Sequence, residues 1–161
     1  MKLYLAGPDV FRPNAAEWAA QVRVLCRKRG HEALIPLDGG QSTAVEIYRS
    51  NLRLIGEADA VLANLNPFRG TEPDSGTCVE IGYALALGKP VIGYVDTLAP
   101  MCDRLRATGP GADGRCRDAE GWAVENFGLA LNLMLAVPVH LEQGGLEAAL
   151  EALGAARAHP A

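Results

Sequence analysis

Short apolar runs alternate with longer amphipathic runs along this chain, and no other feature restricts its fold as strongly. The apolar runs are four to six residues long, as strands are, and the first amphipathic run has Trp18, Val22 and Leu25 on one helical face. The predicted strands are residues 2–6, 32–35, 60–65, 90–95 and 137–141, and the predicted helices are residues 14–29, 43–57, 77–87, 123–135 and 146–153. Strands that alternate with helices of these lengths predict βαβ units and a parallel sheet.

Five such strands with helices on both faces predict a flavodoxin-like doubly wound five-stranded parallel sheet in one domain over residues 1–161. Residues 99–114 contain several Gly and Pro and are predicted to form a long loop. Ligands of doubly wound sheets bind in the crevice at the carboxyl ends of the strands. The site is therefore expected in the segments that follow predicted strands, which are residues 7–11, 36–38, 66–74 and the loop from Asp96.

The overall composition is that of a soluble globular protein, with 49% hydrophobic and 21% charged residues. The net charge is −4 and Lys and Arg are scattered, so the sequence lacks the basic stripe that nucleic acids require. The longest apolar stretch, residues 129–141, contains Pro138 and is too short to span a bilayer. No signal-peptide pattern precedes the first strand. We therefore expect a cytoplasmic protein that has no nucleic-acid or membrane partner.

Neither a metal nor a cofactor is predicted. The four cysteines form no CxxC pair and have no nearby His at zinc-ligand spacing. Residues 7–9 (Gly-Pro-Asp) lack both the glycine spacing of a dinucleotide fingerprint and the GK[ST] sequence of a P-loop. His31, His140 and His159 stand apart from any plausible nucleophile, which disfavours a Ser-His or Cys-His hydrolase.

The segment FRGTEPDSGTCVE, residues 68–80, is the most informative for function because it leads from a predicted strand into a predicted helix. Glu80 in this segment allows two interpretations. Thr77 and Glu80 match a capping box, in which the Glu side chain only bonds a backbone N–H. Alternatively, a carboxylate that the first turn of a helix keeps ionised is a competent nucleophile. Spacing alone leaves both interpretations open.

Three other carboxylates lie at the same edge of the predicted sheet. Asp74 is either a turn residue or an acceptor of hydrogen bonds from substrate hydroxyls. Asp9 and Asp38 follow the first and second predicted strands, where a solvated loop residue is the default.

Four motifs, in the same order along the chain, resemble the nucleoside 2-deoxyribosyltransferase family. They are YLAGPDVF (residues 4–11), IYRSN with EADAVLANL (within residues 47–65), PFRGTEPDSGTCVEIGYALALGKPV (residues 67–91) and FGLALNLML (residues 127–135). The resemblance covers the chain from near its start to about residue 150, and FRGxExDxGTxxExG is not a generic α/β pattern.

This resemblance implies an enzyme that transfers 2-deoxyribose between nucleobases through a covalent intermediate, with retention of configuration. Glu80 matches the family's nucleophile, Asp74 matches the carboxylate that holds the sugar hydroxyls, and Tyr4 matches an aromatic residue near the nucleophile. Asn132 and Met134 match residues that a neighbouring subunit lends to the site, which implies a homo-oligomer. The residues expected to bind the deoxynucleoside and the free nucleobase are Gly7, Asp9, Phe11, Asp38, Asn51, Gly76, Asn132 and Met134.

One position departs from the family. The best-known members carry an Asp that contacts the base where this chain has Asn51, eight residues before Asp59. An Asn side chain can donate and accept hydrogen bonds but cannot deliver a proton. Either another group supplies the proton, or this chain prefers bases that leave well or that water protonates.

Two other functions fit the same motifs. Hydrolysis of 2'-deoxynucleoside 5'-monophosphates is a sister activity, but those hydrolases tend to have a small hydroxyl residue where Asp74 stands. A carboxylate there repels a phosphate dianion, which favours unphosphorylated nucleosides. A non-catalytic nucleotide-binding module is the less favoured alternative, since Asp74 and Glu80 are both present.

Overall fold

A five-stranded parallel sheet forms the centre of the computed structural model, which describes residues 1–37, 40, 42–105, 108–109 and 111–158. Its strands are β1 (Lys2–Ala6), β2 (Glu32–Leu34), β3 (Ala60–Asn64), β4 (Val91–Val95) and β7 (His140–Gln143), while β5 (Cys116–Arg117) and β6 (Ala123–Val124) form a separate antiparallel pair. The spatial order β2-β1-β3-β4-β7 is that of flavodoxin-like doubly wound sheets. The predicted fold class is therefore confirmed.

Helices cover both faces of this sheet. They are a 3₁₀ turn (Pro8–Phe11), α1 (Ala15–Lys28), α2 (Ala44–Glu57), α3 (Ser75–Ala86), α4 (Met101–Arg104), α5 (Leu133–Ala136) and α6 (Leu146–Ala158). Among the described residues, no helix is both long and apolar enough to cross a membrane.

The alternation of side chains along β1 decides which residue faces the site. Leu3 and Leu5 pack into the core beneath α1 and α6, whereas Tyr4 packs on the opposite face, where α2 and α3 lie. Tyr4 is completely buried there. The strand thus carries a phenol into the layer between the sheet and the two helices.

The first four strands and the first three helices lie within two residues of their predicted bounds. The predicted helix over residues 123–135 is wrong. Gly128, at φ 73°, has the left-handed conformation that interrupts a helix, and the Glu125 side chain accepts a hydrogen bond from the Leu133 N–H at 2.9 Å. This contact closes an irregular segment between β6 and α5.

Two neighbouring predictions also need correction. The predicted loop over residues 99–114 contains α4. The last strand begins at His140 rather than at residue 137, because the N–H groups of Val137 and Val139 still bond to carbonyls of α5. The chain therefore continues its helical turns past α5 before it enters the sheet.

Candidate active site

Three secondary structure elements bring polar side chains together around Glu80. The Tyr4 O–H, on β1, donates to Oε1 of Glu80 at 2.7 Å. The amide Nδ2 of Asn51, on α2, donates to the same oxygen at 3.2 Å. Glu80 itself lies on α3, so the side chains come from positions 76 and 29 residues apart in sequence. The sheet and the two helices that pack on it form this cluster.

The environment of Glu80 favours its neutral form but still accommodates its charge. Burial raises the pKa of Glu80 to about 7 and is the largest effect, against the hydrogen bonds from Tyr4 and Asn51, which lower it. The negative charge of Asp74 raises it further. Burial and the charge of Glu80 also raise the pKa of Tyr4, so that its phenol remains a hydrogen-bond donor. At neutral pH a large fraction of Glu80 is therefore ionised, poorly solvated and held by two donors.

Asp74, and not Thr77, begins the helix that carries Glu80. Oδ2 of Asp74 accepts hydrogen bonds from the Thr77 backbone N–H at 2.9 Å and from the Thr77 hydroxyl at 3.1 Å. Thr77 is thus the third residue of α3 and Glu80 the sixth, beyond the first turn. The capping-box interpretation of Glu80 is wrong, and so is the expectation that the first turn keeps it ionised. The capping box in this chain lies at the start of α2, between Thr43 and Glu46.

A cavity of about 390 Å³ opens beside Glu80 at the carboxyl end of β1. Six of the residues expected in the site line it, namely Gly7, Phe11, Asn51, Asp74, Gly76 and Glu80. Val10, Pro36, Leu37, Gly40, Ile47 and Thr77 complete its described lining. Asp38, expected to bind substrate, lies outside the described residues.

Gly7 is required at the rim of this cavity for a steric reason. Its φ of 150° is unfavourable for other residues, and a Cβ atom there would lie 2.8 Å from Cβ of Asn64. The chain can therefore pass closely over β3 on its way from β1 to the 3₁₀ turn. This close passage places Phe11 at the cavity.

Asp9 lies outside the described lining of the Glu80 cavity. It is buried, forms an ion pair with Nε of Arg12 at 2.6 Å, and accepts a hydrogen bond from Nδ2 of Asn64 at 2.8 Å. Asp9 lines a second crevice with Asn66 and Asp96, at the carboxyl ends of β1, β3 and β4. Its contacts support the turn after β1, and it is not among the residues that line the Glu80 cavity.

Asn132 and Met134 also lie outside the Glu80 cavity of their own chain. Asn132 caps α5 by accepting from the Met134 N–H at 3.0 Å, and its amide donates to Oε1 of Glu125 at 2.7 Å. Met134 is 72% exposed. The two residues thus sit on a separate, outward-facing crevice, which they line together with Cys78 and Ile81 of α3.

Several residues that shape the site were not predicted from the sequence. Phe68 stacks on Phe11 with ring centroids 5.6 Å apart, and the Arg69 guanidinium lies over both rings. Arg104 of α4 binds the carbonyl of Thr71 and, at 3.1 Å, the carboxylate of Glu72, which fixes the loop before Asp74. The adjacent letters FRG could have pointed to Phe68 and Arg69, but no local signal marks Arg104. Among the described residues, no group of three or more His, Cys, Asp or Glu side chains could hold a metal ion.

This chain is similar in sequence and in structure to known proteins. The model of a family described as nucleoside 2-deoxyribosyltransferase matches residues 3–134. An uncharacterised protein of Schizosaccharomyces pombe is 32% identical over 82% of this chain and 74% of its own length. The structure of a 2-deoxyribosyltransferase from Leishmania mexicana is 37% identical, with a TM-score of 0.80 over 99% of both chains. A CMP N-glycosidase from Clostridium botulinum, 14% identical with a TM-score of 0.53 over 96% of this chain and 99% of that chain, shares the fold alone.

Proposed function

The chain belongs to the nucleoside 2-deoxyribosyltransferase family, a family of enzymes, and we propose that it transfers 2-deoxyribose between nucleobases through an ester on Glu80. The proposal rests on one observation. The carboxylate of Glu80 is half-buried, lies at a cavity and accepts hydrogen bonds from Tyr4 and Asn51. A nucleophile of this kind needs a poorly solvated negative charge and a fixed orientation. The cavity provides space for the deoxynucleoside against it.

The reaction is a double displacement at the anomeric carbon. A carboxylate oxygen of Glu80 attacks C1' of the deoxynucleoside while the C1'–N bond breaks, and the base departs with the bonding electron pair and takes up a proton from water. The nitrogen of a second base then attacks C1', the ester C1'–O bond breaks, the carboxylate is restored, and the incoming base releases its proton. Two inversions give net retention, as in retaining glycosidases.

Unphosphorylated nucleosides are the favoured substrates. Two carboxylates, Asp74 and Glu80, line the described part of the cavity, and no Lys or Arg occurs among the described lining residues. A 5'-phosphate dianion would be repelled by both carboxylates, and the Arg69 guanidinium, which stacks on Phe11, is not among the described lining residues. Faster cleavage of deoxynucleoside monophosphates than of deoxynucleosides would contradict this assignment and favour the sister hydrolase.

Incubation with 2'-deoxyinosine, with and without free adenine, tests the reaction directly. Deoxyadenosine that forms only when adenine is present, with little free deoxyribose, is the expected result. Hypoxanthine and deoxyribose released at the same rate with and without adenine would make the enzyme a hydrolase. Mass spectrometry of the acid-quenched protein without acceptor should locate one deoxyribosyl group, the mass of deoxyribose less one water, on the peptide that contains Glu80.

Asp74 has a second role, as the acceptor for a sugar hydroxyl. Thr77 occupies Oδ2 of Asp74, whereas no described residue donates to Oδ1. We expect Asp74→Asn to keep the helix cap, since Asn caps as well as Asp, but to lose the charged acceptor. A hydrogen bond to a charged group contributes about 1.5–3 kcal/mol, so kcat/KM should fall about tenfold to a hundredfold, mainly through KM.

Asp74→Ala is the matched comparison for that variant. It removes the cap as well as the acceptor and should additionally lower the free energy of unfolding by about 1 kcal/mol. Urea unfolding and initial rates for both variants separate the two roles. Unchanged kinetics in Asp74→Asn would leave Asp74 with its capping role alone.

Asn132 and Met134 complete the site from a neighbouring subunit in a homo-oligomer. Support comes from their place on an outward-facing crevice and from the exposure of Met134. Sedimentation at micromolar concentration measures the oligomeric state, and an active monomer would contradict this arrangement. The cytoplasmic location stays a prediction.

A further inference from the structure

Both hydrogen bonds to Glu80 converge on one oxygen of its carboxylate. Tyr4 and Asn51 donate to Oε1, and no described residue donates to Oε2. A carboxylate oxygen that accepts two hydrogen bonds has less negative charge available for attack. The other oxygen of the same carboxylate remains more basic. The two oxygens of Glu80 are therefore not equivalent.

We infer that Oε2 of Glu80 is the attacking atom and that Asn51 is a positioning residue, whose amide holds Oε1 together with the Tyr4 hydroxyl. This inference rests on the proposed function and deepens it. The resemblance alone implied a different role for Asn51, contact with the base. The Nδ2 hydrogen bond to Glu80 instead engages Asn51 with the nucleophile.

An amide suits this position better than a carboxylate does. Asp at position 51 would place a second carboxyl about as close to Glu80 as the amide lies now, 3.2 Å, and the two would have to share a proton. Asn51 offers the same donor at every pH. Among the described residues, the titratable groups that act on Glu80 are Tyr4 from β1 and Asp74 before α3, while α2 presents the uncharged Asn51. The departure from the family at this position thus has a physical consequence for the nucleophile.

Asn51→Leu tests the inference, because Leu has a similar size but no donor. We expect the pKa of Glu80 to rise by about one, since a hydrogen bond that favours the charged form is lost. The acid limb of kcat/KM against pH should move to higher pH by the same amount. At a pH below the pKa of Glu80 in both the unaltered protein and the variant, activity should therefore fall about tenfold for every leaving base. Gln21→Leu, an exposed amide replaced on α1, is the matched control and should leave both quantities unchanged.

The pKa of Glu80 is measured by ¹³C NMR on protein labelled at the Glu side-chain carboxyl carbon, with the resonance assigned by its loss in Glu80→Gln. Asn51→Asp provides a second variant of nearly native shape. In it, the higher of the two carboxyl titrations should lie above the pKa of Glu80 in the unaltered protein.

The inference would be overturned if Asn51→Leu left the titration of Glu80 unchanged and its loss of activity differed between leaving bases and arose from KM. Asn51 would then be a base contact. The NMR titration needs no turnover. A protein that transfers and hydrolyses no deoxynucleoside would therefore refute the proposed function, while the titration would still decide whether Asn51 acts on Glu80.

Discussion

Replacing Glu80 with Gln is expected to lower turnover by about a thousandfold or more, equivalent to about 4 kcal/mol of activation free energy. Gln has the same shape and keeps an oxygen that can accept the hydrogen bonds from Tyr4 and Asn51. Gln cannot form the ester that the proposed first displacement requires. Initial rates of deoxyinosine cleavage, with and without adenine, measure the loss. The variant thus separates the chemistry of the carboxylate from its contacts.

Two controls accompany this variant. Glu57→Gln removes an exposed carboxylate that pairs with Arg53 at 2.7 Å on the surface of α2, and it should leave the rate unchanged. In Glu80→Ala, azide or formate can occupy the vacated space and attack C1', so that either anion should restore part of the base release. Near-normal turnover in both Glu80 variants would exclude Glu80 as the nucleophile and leave it a purely structural contact of Tyr4 and Asn51.

The sequence was sufficient for most of the fold because its periodicities are strong. In β3, every residue is buried, as expected for a parallel strand covered on both faces, and α2 starts at the capping box of Thr43 and Glu46. The region after residue 99 was harder. Apolar spacing predicted a helix over residues 123–135, but the left-handed Gly128 and the side chain of Glu125 decide the conformation of that segment. Contacts of this kind are not encoded in periodicity.

Spacing could not decide the role of Glu80. Asp74 and Thr77 are both good N-cap residues, and the residue that caps depends on where the loop ends and the helix begins. With Asp74 as the cap, Glu80 lies three residues too late for a capping box. The bonds from Tyr4 and Asn51 join residues that only the parallel sheet brings together. The resemblance placed Tyr4 near the nucleophile, but the contact between Asn51 and Glu80 is visible only in three dimensions.

The substitution Glu80→Gln should make the folded protein more stable although it lowers turnover. The pKa of Glu80 is about 7 in the folded protein and 4.5 in its ordinary state, so between these values the folded chain binds more protons than the unfolded chain. The stability of the unaltered protein should therefore decrease as the pH rises from about 4.5 to about 7, and stay constant, as far as Glu80 is concerned, above that range. Gln at position 80 carries no charge and escapes this loss.

Urea unfolding of both proteins at pH 5 and pH 8 measures the effect. Because protonation of Glu80 is linked to folding, the free energy of unfolding of Glu80→Gln should exceed that of the unaltered protein. The expected difference is about 1 kcal/mol at pH 5 and on the order of 3 kcal/mol at pH 8. Glu57→Gln, which removes an exposed carboxylate from the surface of α2, is the matched control. An advantage that stays constant between the two pH values would mean that folding does not raise the pKa of Glu80. The predicted increase in this difference from pH 5 to pH 8 would mean that the ionised carboxylate beside the cavity destabilises the folded protein. Such a cost is expected for a nucleophile and not for a structural residue.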